Sequence, residues 1–184
     1  MIQVSSELDL TKAMLIILRR LLADKITSLL LLSSSGTDEL MRSGENYSVN
    51  LEEALSSGQL VIVDCVSKAA CEKLGSAASP RINGVGVSYV SSPSDLSEIA
   101  RKVSDAITTA KPGGEKWLII DSLTALAMYN SSGGILRFMQ FLFKKLRMLN
   151  FDGVVVVVRD GDSESNMMSE LRRYCSSIIF LAGN

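Results

Sequence analysis

Asp121 and Ser122 stand at the end of a short apolar run, Trp117-Leu118-Ile119-Ile120. A run of that length bounded by polar residues reads as a buried parallel strand. A carboxylate at the carboxyl end of such a strand lies on the sheet edge where α/β proteins bind ligands. In phosphoryl-transfer sites an Asp so placed faces Mg²⁺. The competing reading is an Asp that hydrogen-bonds the backbone of the following turn. Asp64 closes Leu60-Val61-Ile62-Val63 in the same way, and Arg159-Asp160 follows Val154–Val158. In a parallel sheet these ends share one edge, although strand ends need polar residues on any account. Ser33-Ser34-Ser35-Gly36 follows four leucines. It reads either as a plain loop or as an anion-binding turn made of backbone amides.

Other chemistries are excluded by composition. The 184 residues contain no histidine, which removes the commonest general base and any Ser-His-Asp or Cys-His arrangement. Cys65, Cys71 and Cys175 fit no zinc or redox spacing and read as packed free thiols. The net charge of −1 gives no basic excess for nucleic acid. Arg137, Lys144, Lys145 and Arg147 read as a solvated helix face without the aromatic interleaving of a strand-binding groove. The apolar runs Ala13–Leu18 and Val154–Val158 are too short to span a bilayer, and the amino terminus lacks a signal-peptide layout. A cytoplasmic protein with no membrane contact is expected. Hydrophobic residues at 47% suit one domain, spanning residues 1–184, with a sizeable core.

The elements that must position these residues alternate between two periods. Leu10 to Asp24 repeats its apolar residues at helical spacing, with Asp9 as a cap. Ile26 to Ser33 reads as a central strand. Asn50 and Glu53 form a capping box for a short helix ending near Gly58. Gln59–Asp64 and Val85–Val90 read as strands, and residues 66–85 as mostly loop. Ser92-Pro93-Ser94-Asp95 reads as a helix start with Ser92 as cap, and Leu96, Ile99, Val103 and Ile107 line one face. After the strand Trp117–Asp121, a helix over Ile135–Leu149 points Ile135, Phe138, Met139, Leu142, Leu146 and Leu149 inward. A strand Val154–Val158, a helix Ser165–Tyr174 and a strand Ser177–Leu181 complete the plan. Six apolar strands separated by helices predict an α/β three-layer sandwich with a mainly parallel central sheet.

Several stretches together resemble one family. Leu118-Ile119-Ile120-Asp121-Ser122-Leu123-Thr124-Ala125-Leu126 resembles the Walker B strand and turn of RecA-like P-loop ATPases, closest to the archaeal KaiC-like and RadA-like branch. Tyr129-Asn130 and Leu136–Leu142 resemble the helix that follows it. Leu60–Ser67 and Val87–Leu96 resemble further segments of the archaeal members. The resemblance runs from about residue 10 to 182, and implies the RecA-like P-loop NTPase fold. Two departures accompany it. Where the family has a Gly-rich phosphate loop ending in Gly-Lys-Ser/Thr, this chain reads Ser5-Ser6-Glu7-Leu8-Asp9-Leu10-Thr11-Lys12, with no glycine in the first 35 residues. Such a loop needs glycines so that successive amides can wrap phosphates. Glu7 or Asp9 at ~4 Å from a phosphate would oppose binding by roughly a few kcal/mol at an effective dielectric near 20. Where the family carries acidic residues that orient the attacking water, this chain has Ser33-Ser34-Ser35.

The resemblance and its departures imply a degenerate Walker A and a pseudo-ATPase, a regulatory or protein-interaction module that pairs with itself or a relative. No ATP hydrolysis, no catalytic residue and no bound cofactor are expected. Vestigial nucleotide contacts would fall to Thr11, Lys12, Asp121 and Ser122, with Asp121 holding Mg²⁺ only if nucleotide binds. One alternative is a weak nucleotide binder or atypical ATPase whose ATP/Mg site is completed by a neighbouring subunit. Another is a DNA-repair accessory protein of the recombinase-paralogue kind.

Overall fold

The computed structural model describes residues 2–4, 7–73, 86–110, 113–158, 166–175 and 179–181. Its centre is a seven-stranded sheet in which every pairing is parallel. In chain order the strands are β1 (Ile2–Val4), β2 (Thr27–Leu32), β3 (Leu60–Asp64), β4 (Val87–Tyr89), β5 (Lys116–Ile120), β6 (Asp152–Val158) and β7 (Ile179–Leu181). Across the sheet the order is β4-β3-β2-β5-β6-β1-β7. Around these run helices α1 (Glu7–Ala23), α2 (Thr37–Asn46), α3 (Leu51–Ser56), α4 (Ser67–Lys73), α5 (Leu96–Thr109), α6 (Leu123–Tyr129), α7 (Ser132–Met148) and α8 (Asn166–Arg172).

The period-2 alternation of the strands sorts the core into two layers. Leu29 and Leu31 of β2 point into one cluster with Ile99, Val103, Leu123, Ile135, Leu142 and Leu171, which belong to α5, α6, α7 and α8. Leu30 and Leu32 point the other way, into a cluster with Met14, Leu18, Leu40 and Leu55 of α1, α2 and α3. The register sets Leu30 beside Ile62 on one side and Ile119 on the other, so the middle of the sheet is apolar on both faces. The α/β three-layer sandwich with a parallel sheet is therefore the observed architecture.

Differences from the sequence reading fall at short elements and at caps. The three-residue β1 carries too little pattern to be read, yet it pairs with both β6 and β7. Helices α4 and α6 lie in stretches read as loop or turn, α2 lies in a stretch that carries no reading, and each is ten residues or shorter. Asp9, expected as the cap of the first helix, is the third residue of α1. The cap of α5 is Asp95, which accepts from Glu98 N at 2.8 Å, and not Ser92. Ser92 instead accepts from Asp95 N through its carbonyl, in the turn before the helix. The capping box is formed as read, with Glu53 N on Asn50 Oδ1 at 3.2 Å. Leu149, expected inward, follows the end of α7 and is 38% exposed, while the other five positions expected inward, Ile135, Phe138, Met139, Leu142 and Leu146, are buried. Residues 74–85 of the expected loop and Arg159-Asp160 lie outside the described residues.

Leu30→Ala should destabilise by about 2–5 kcal/mol, because the site is sealed by strands on both sides. Ile16→Ala, at a position 48% exposed on α1, should stay within about 0.5 kcal/mol. Urea unfolding of the two variants beside the parent checks the contrast.

Candidate functional site at the carboxyl edge of the sheet

In a doubly wound sheet the ligand crevice opens where adjacent strands send their loops to opposite faces. The chain turns from β2 to α2, on the α1 face, and from β5 to α6, on the α7 face, so β2 and β5 flank such a point. A second one lies between β1 and β6. Its connecting loops, residues 5–6 and 159–165, are outside the described residues.

At the first point the crevice is closed by the protein itself. Asp121 immediately follows β5 and is fully buried. Its Oδ1 accepts from Ser33 N at 2.7 Å and from Ser33 Oγ at 2.6 Å. Its Oδ2 accepts from Ser34 N at 3.1 Å and from Ser34 Oγ at 2.7 Å. The serine turn does gather an anion with successive backbone amides, and the anion is the Asp121 side chain. Four donors occupy the roughly four lone-pair positions of a carboxylate. Ser122, also buried, caps α6 by accepting from Ala125 N at 3.1 Å.

Burial pushes the Asp121 carboxyl above its usual range, and the hydrogen bonds from Ser33 and Ser34 oppose that shift without cancelling it. Ser33 Oγ lies 2.6 Å from both Asp121 Oδ1 and the Ser122 carbonyl, and shares its one hydrogen between them.

On the other side of β2, Asp64 repeats the arrangement. It is fully buried at the end of β3. Oδ1 accepts from Val66 N and Ser67 N, both at 2.8 Å, which turns the chain into α4. Oδ2 accepts from Thr37 N at 2.7 Å, Thr37 Oγ1 at 2.6 Å and Ser67 Oγ at 2.6 Å. Thr37 opens α2, whose cap residue Gly36 offers no side-chain acceptor. Asp64 therefore supplies, from a neighbouring strand, the carboxyl oxygen that a helix amino terminus attracts. A Cβ on Gly36 would strike Ser67 Oγ, so glycine is required for this close approach.

Between the two carboxyl clusters sits Cys65, fully buried. Burial first, and then the nearby charges of Asp121, Asp64 and Glu98, push its thiol far above the ordinary range. It is not a nucleophile. A cleft of about 220 Å³ opens above it, lined by Ser33, Ser34, Val66, Ala70, Pro93 and Tyr129 among others and by no charged side chain.

The remaining residues singled out in the sequence lie elsewhere. Thr11 and Lys12 are the fifth and sixth residues of α1, half-buried and exposed respectively. Their amides lie past the first four of the helix, which alone are free to bind an anion. Helix α1 follows β1, which is two strands from β5, or about 10 Å at the usual strand spacing. No hydrogen bond among the described residues joins Thr11 or Lys12 to Asp121 or Ser122. Thr37 and Ser67, which complete the Asp64 cluster, carry only faint signals in the sequence. These are a Gly-Thr pair after a strand, and an Asp three residues before a Ser at a helix start.

This α/β fold, with its all-parallel sheet between two helical layers, is shared by solved archaeal proteins. A KaiC-like protein of the hyperthermophilic archaeon Pyrococcus horikoshii, PH0186, superposes with a TM-score of 0.67 at 14% identity, over 98% of this chain and 69% of that one. An uncharacterised protein of the same organism, PH0321, solved in complex with an unknown peptide, gives 0.68 at 15% identity, over 97% and 75%. Comparison with curated proteins yields no match. The chain belongs to the family described as a family of unknown function, DUF7504, whose model matches residues 16–178.

Two outcomes test this geometry. Gly36→Ala should cost on the order of 1 kcal/mol by displacing Ser67 from Asp64, measured by denaturant unfolding. For Asp121 the sign follows from its raised pKa. The folded protein keeps the proton to a higher pH than the unfolded chain, whose value is about 3.9. The resulting stabilisation is complete below that value and is lost as pH rises through the folded pKa. In unfolding curves from about pH 4 upward, the stability of the parent relative to Asp121→Asn should therefore fall with rising pH. A difference that is flat or rises contradicts the assignment.

Proposed function

We propose that this chain is a non-catalytic RecA/KaiC-like module that acts by binding protein. The observation that carries the reading is the internal saturation of Asp121. Each of its oxygens accepts two hydrogen bonds from the serine turn, and burial pushes its carboxyl toward the protonated form. A Mg²⁺-binding carboxylate needs a free lone pair and a negative charge. The lone pairs of this one are taken, and its surroundings oppose the charge. The residues present at this crevice do not fit a Mg²⁺–nucleotide.

Further support comes from the sequence. No glycine stands in the first 35 residues to wrap a phosphate, and Lys12 is set one turn into α1. Serine takes the place of an acidic residue after β2, so a water-orienting carboxylate is missing there. A nucleotide-dependent role would require all three functions to be replaced. Among the described residues no helix is long and apolar enough to cross a membrane. PH0321, which shares the fold, was solved with a peptide, the kind of partner proposed here.

Titration calorimetry with Mg²⁺ and ATP, then ADP, tests the reading. No heat and no shift in melting temperature at millimolar nucleotide are expected. Micromolar binding that Asp121→Ala abolishes would overturn it and restore a nucleotide-dependent role.

A further inference from the structure

Charge is segregated between the two faces of the sheet. On the α1 side, α2 and α3 carry Asp38, Glu39, Glu45, Glu52 and Glu53 against a single cation, Arg42. On the opposite face, α7 carries Arg137, Lys144, Lys145 and Arg147 and no acidic residue. Its neighbours do not offset that charge. Helix α5 balances Glu98 and Asp105 with Arg101 and Lys102, and α8 balances Glu170 with Arg172. The ion pairs among the described residues are Arg20–Asp24 and Arg101–Asp105, and neither involves α7.

Two large apolar side chains stand in water among these cations. Phe141 is 44% exposed and Met148 is 71% exposed. Arg137, Phe141, Lys144 and Met148 follow one another at helical spacing, and all four are exposed. They form one line along the outer side of α7. The line alternates cation and apolar group over about three turns, or about 16 Å. Beside it, Tyr174 stacks on Phe143 with ring centres 5.5 Å apart, and its hydroxyl accepts from Gln140 Nε2 at 3.3 Å. That half-exposed ring is thus held at the edge of the ridge.

We propose that the outer side of α7 docks on an anionic lipid surface. Arg137, Lys144 and Arg147 reach the headgroup phosphates, while Phe141 and Met148 enter the boundary of the acyl chains. Tyr174 lies at the level of the headgroups, where its ring and its hydroxyl are both accommodated. The contact is peripheral, because Ile135, Phe138, Met139, Leu142 and Leu146 of the same helix stay in the core. A ridge of alternating cations and apolar groups meets a plane along its whole length. A protein partner would need a trough of matching form. A single-stranded nucleic acid would need stacking faces in series, and Met148 offers none. The acidic α2–α3 face points away from the lipid in this pose, so its repulsion reinforces the orientation. Sequence pattern leads to the opposite expectation because it does not show that Phe141 and Met148 stand in water. The inference goes beyond the protein-binding reading and does not depend on it.

Flotation of the full chain with lipid vesicles, without nucleotide, tests it. The parent should float with vesicles of mixed phosphatidylglycerol and phosphatidylcholine, and stay behind with phosphatidylcholine alone. Binding should weaken as salt is raised. Each cation near an anionic surface contributes roughly fivefold to affinity. Lys144→Glu/Arg147→Glu should therefore weaken binding by at least about tenfold. Phe141→Ser/Met148→Ser, which keeps every charge, should weaken it by a similar factor if the apolar groups enter the lipid. Arg42→Glu, on the opposite face, should stay within about twofold of the parent. Circular dichroism confirms that each variant is folded. A parent that does not float with phosphatidylglycerol, or floats equally with phosphatidylcholine alone, overturns the proposal. So does binding that survives either double substitution on α7. A chain that stays off the vesicles but takes up oligothymidylate or polyglutamate would place a nucleic acid or an acidic protein on this face instead. None of these failures alters the nucleotide titration, so the two readings fail separately.

Discussion

Asp121 and Asp64 stand at the carboxyl ends of the two strands that flank β2, fully buried, with nine donors from the protein converging on them. A carboxyl group removed from water must recover its lost hydration through hydrogen bonds or give up its charge. Asp64 gathers three backbone amides and two hydroxyls. Asp121 leans toward giving up its charge, because burial outweighs its four donors. The loop after β2, the start of α2 and the turn into α4 all take their shape from these two side chains. Without them, the amides of Ser33, Ser34, Thr37, Val66 and Ser67 would be short of acceptors.

The same contacts decide what the edge can do. A helix amino terminus and a turn of successive amides are the usual means by which this class of fold binds an external anion. Here both are present, at α2 and at the serine turn, and both hold the protein's own carboxyl groups. The two sockets face inward, and the cleft over them is lined by neutral side chains. Large apolar side chains stand in water instead on the helical layers, Met128 in α6 and Met148 at the end of α7 among them.

Much of the fold was legible because the long elements bury either a helical stripe or both faces of a strand. Leu29–Leu32, Leu60–Val63 and Leu118–Ile120 read as central strands for that reason. Helices α5 and α7 were legible from the spacing of Ile99, Val103 and Ile107 and of Ile135, Phe138 and Leu142, all of which are buried. The short β1 was not legible, since three residues give no periodicity and their order is set by β6 and β7. At the site, the strand-end position of Asp121 and Asp64 could be read. Their partners could not, because Ser33 lies 88 positions from Asp121 and Thr37 lies 27 from Asp64. Such contacts depend on strand order, which local pattern does not encode. The serine run was open to two readings, loop or anion turn, and only the neighbouring strand reveals that its anion is internal.

The central claim is that Asp121 is spent on the serine turn. A double-mutant cycle of Asp121→Ala against Ser33→Ala/Ser34→Ala, read by denaturant unfolding, tests it most directly. A coupling of about 0.5–3 kcal/mol, the range found for residues sharing one hydrogen-bond network, is expected. Effects that add to within about 0.3 kcal/mol would mean that the carboxyl and the turn are independent, and would contradict it.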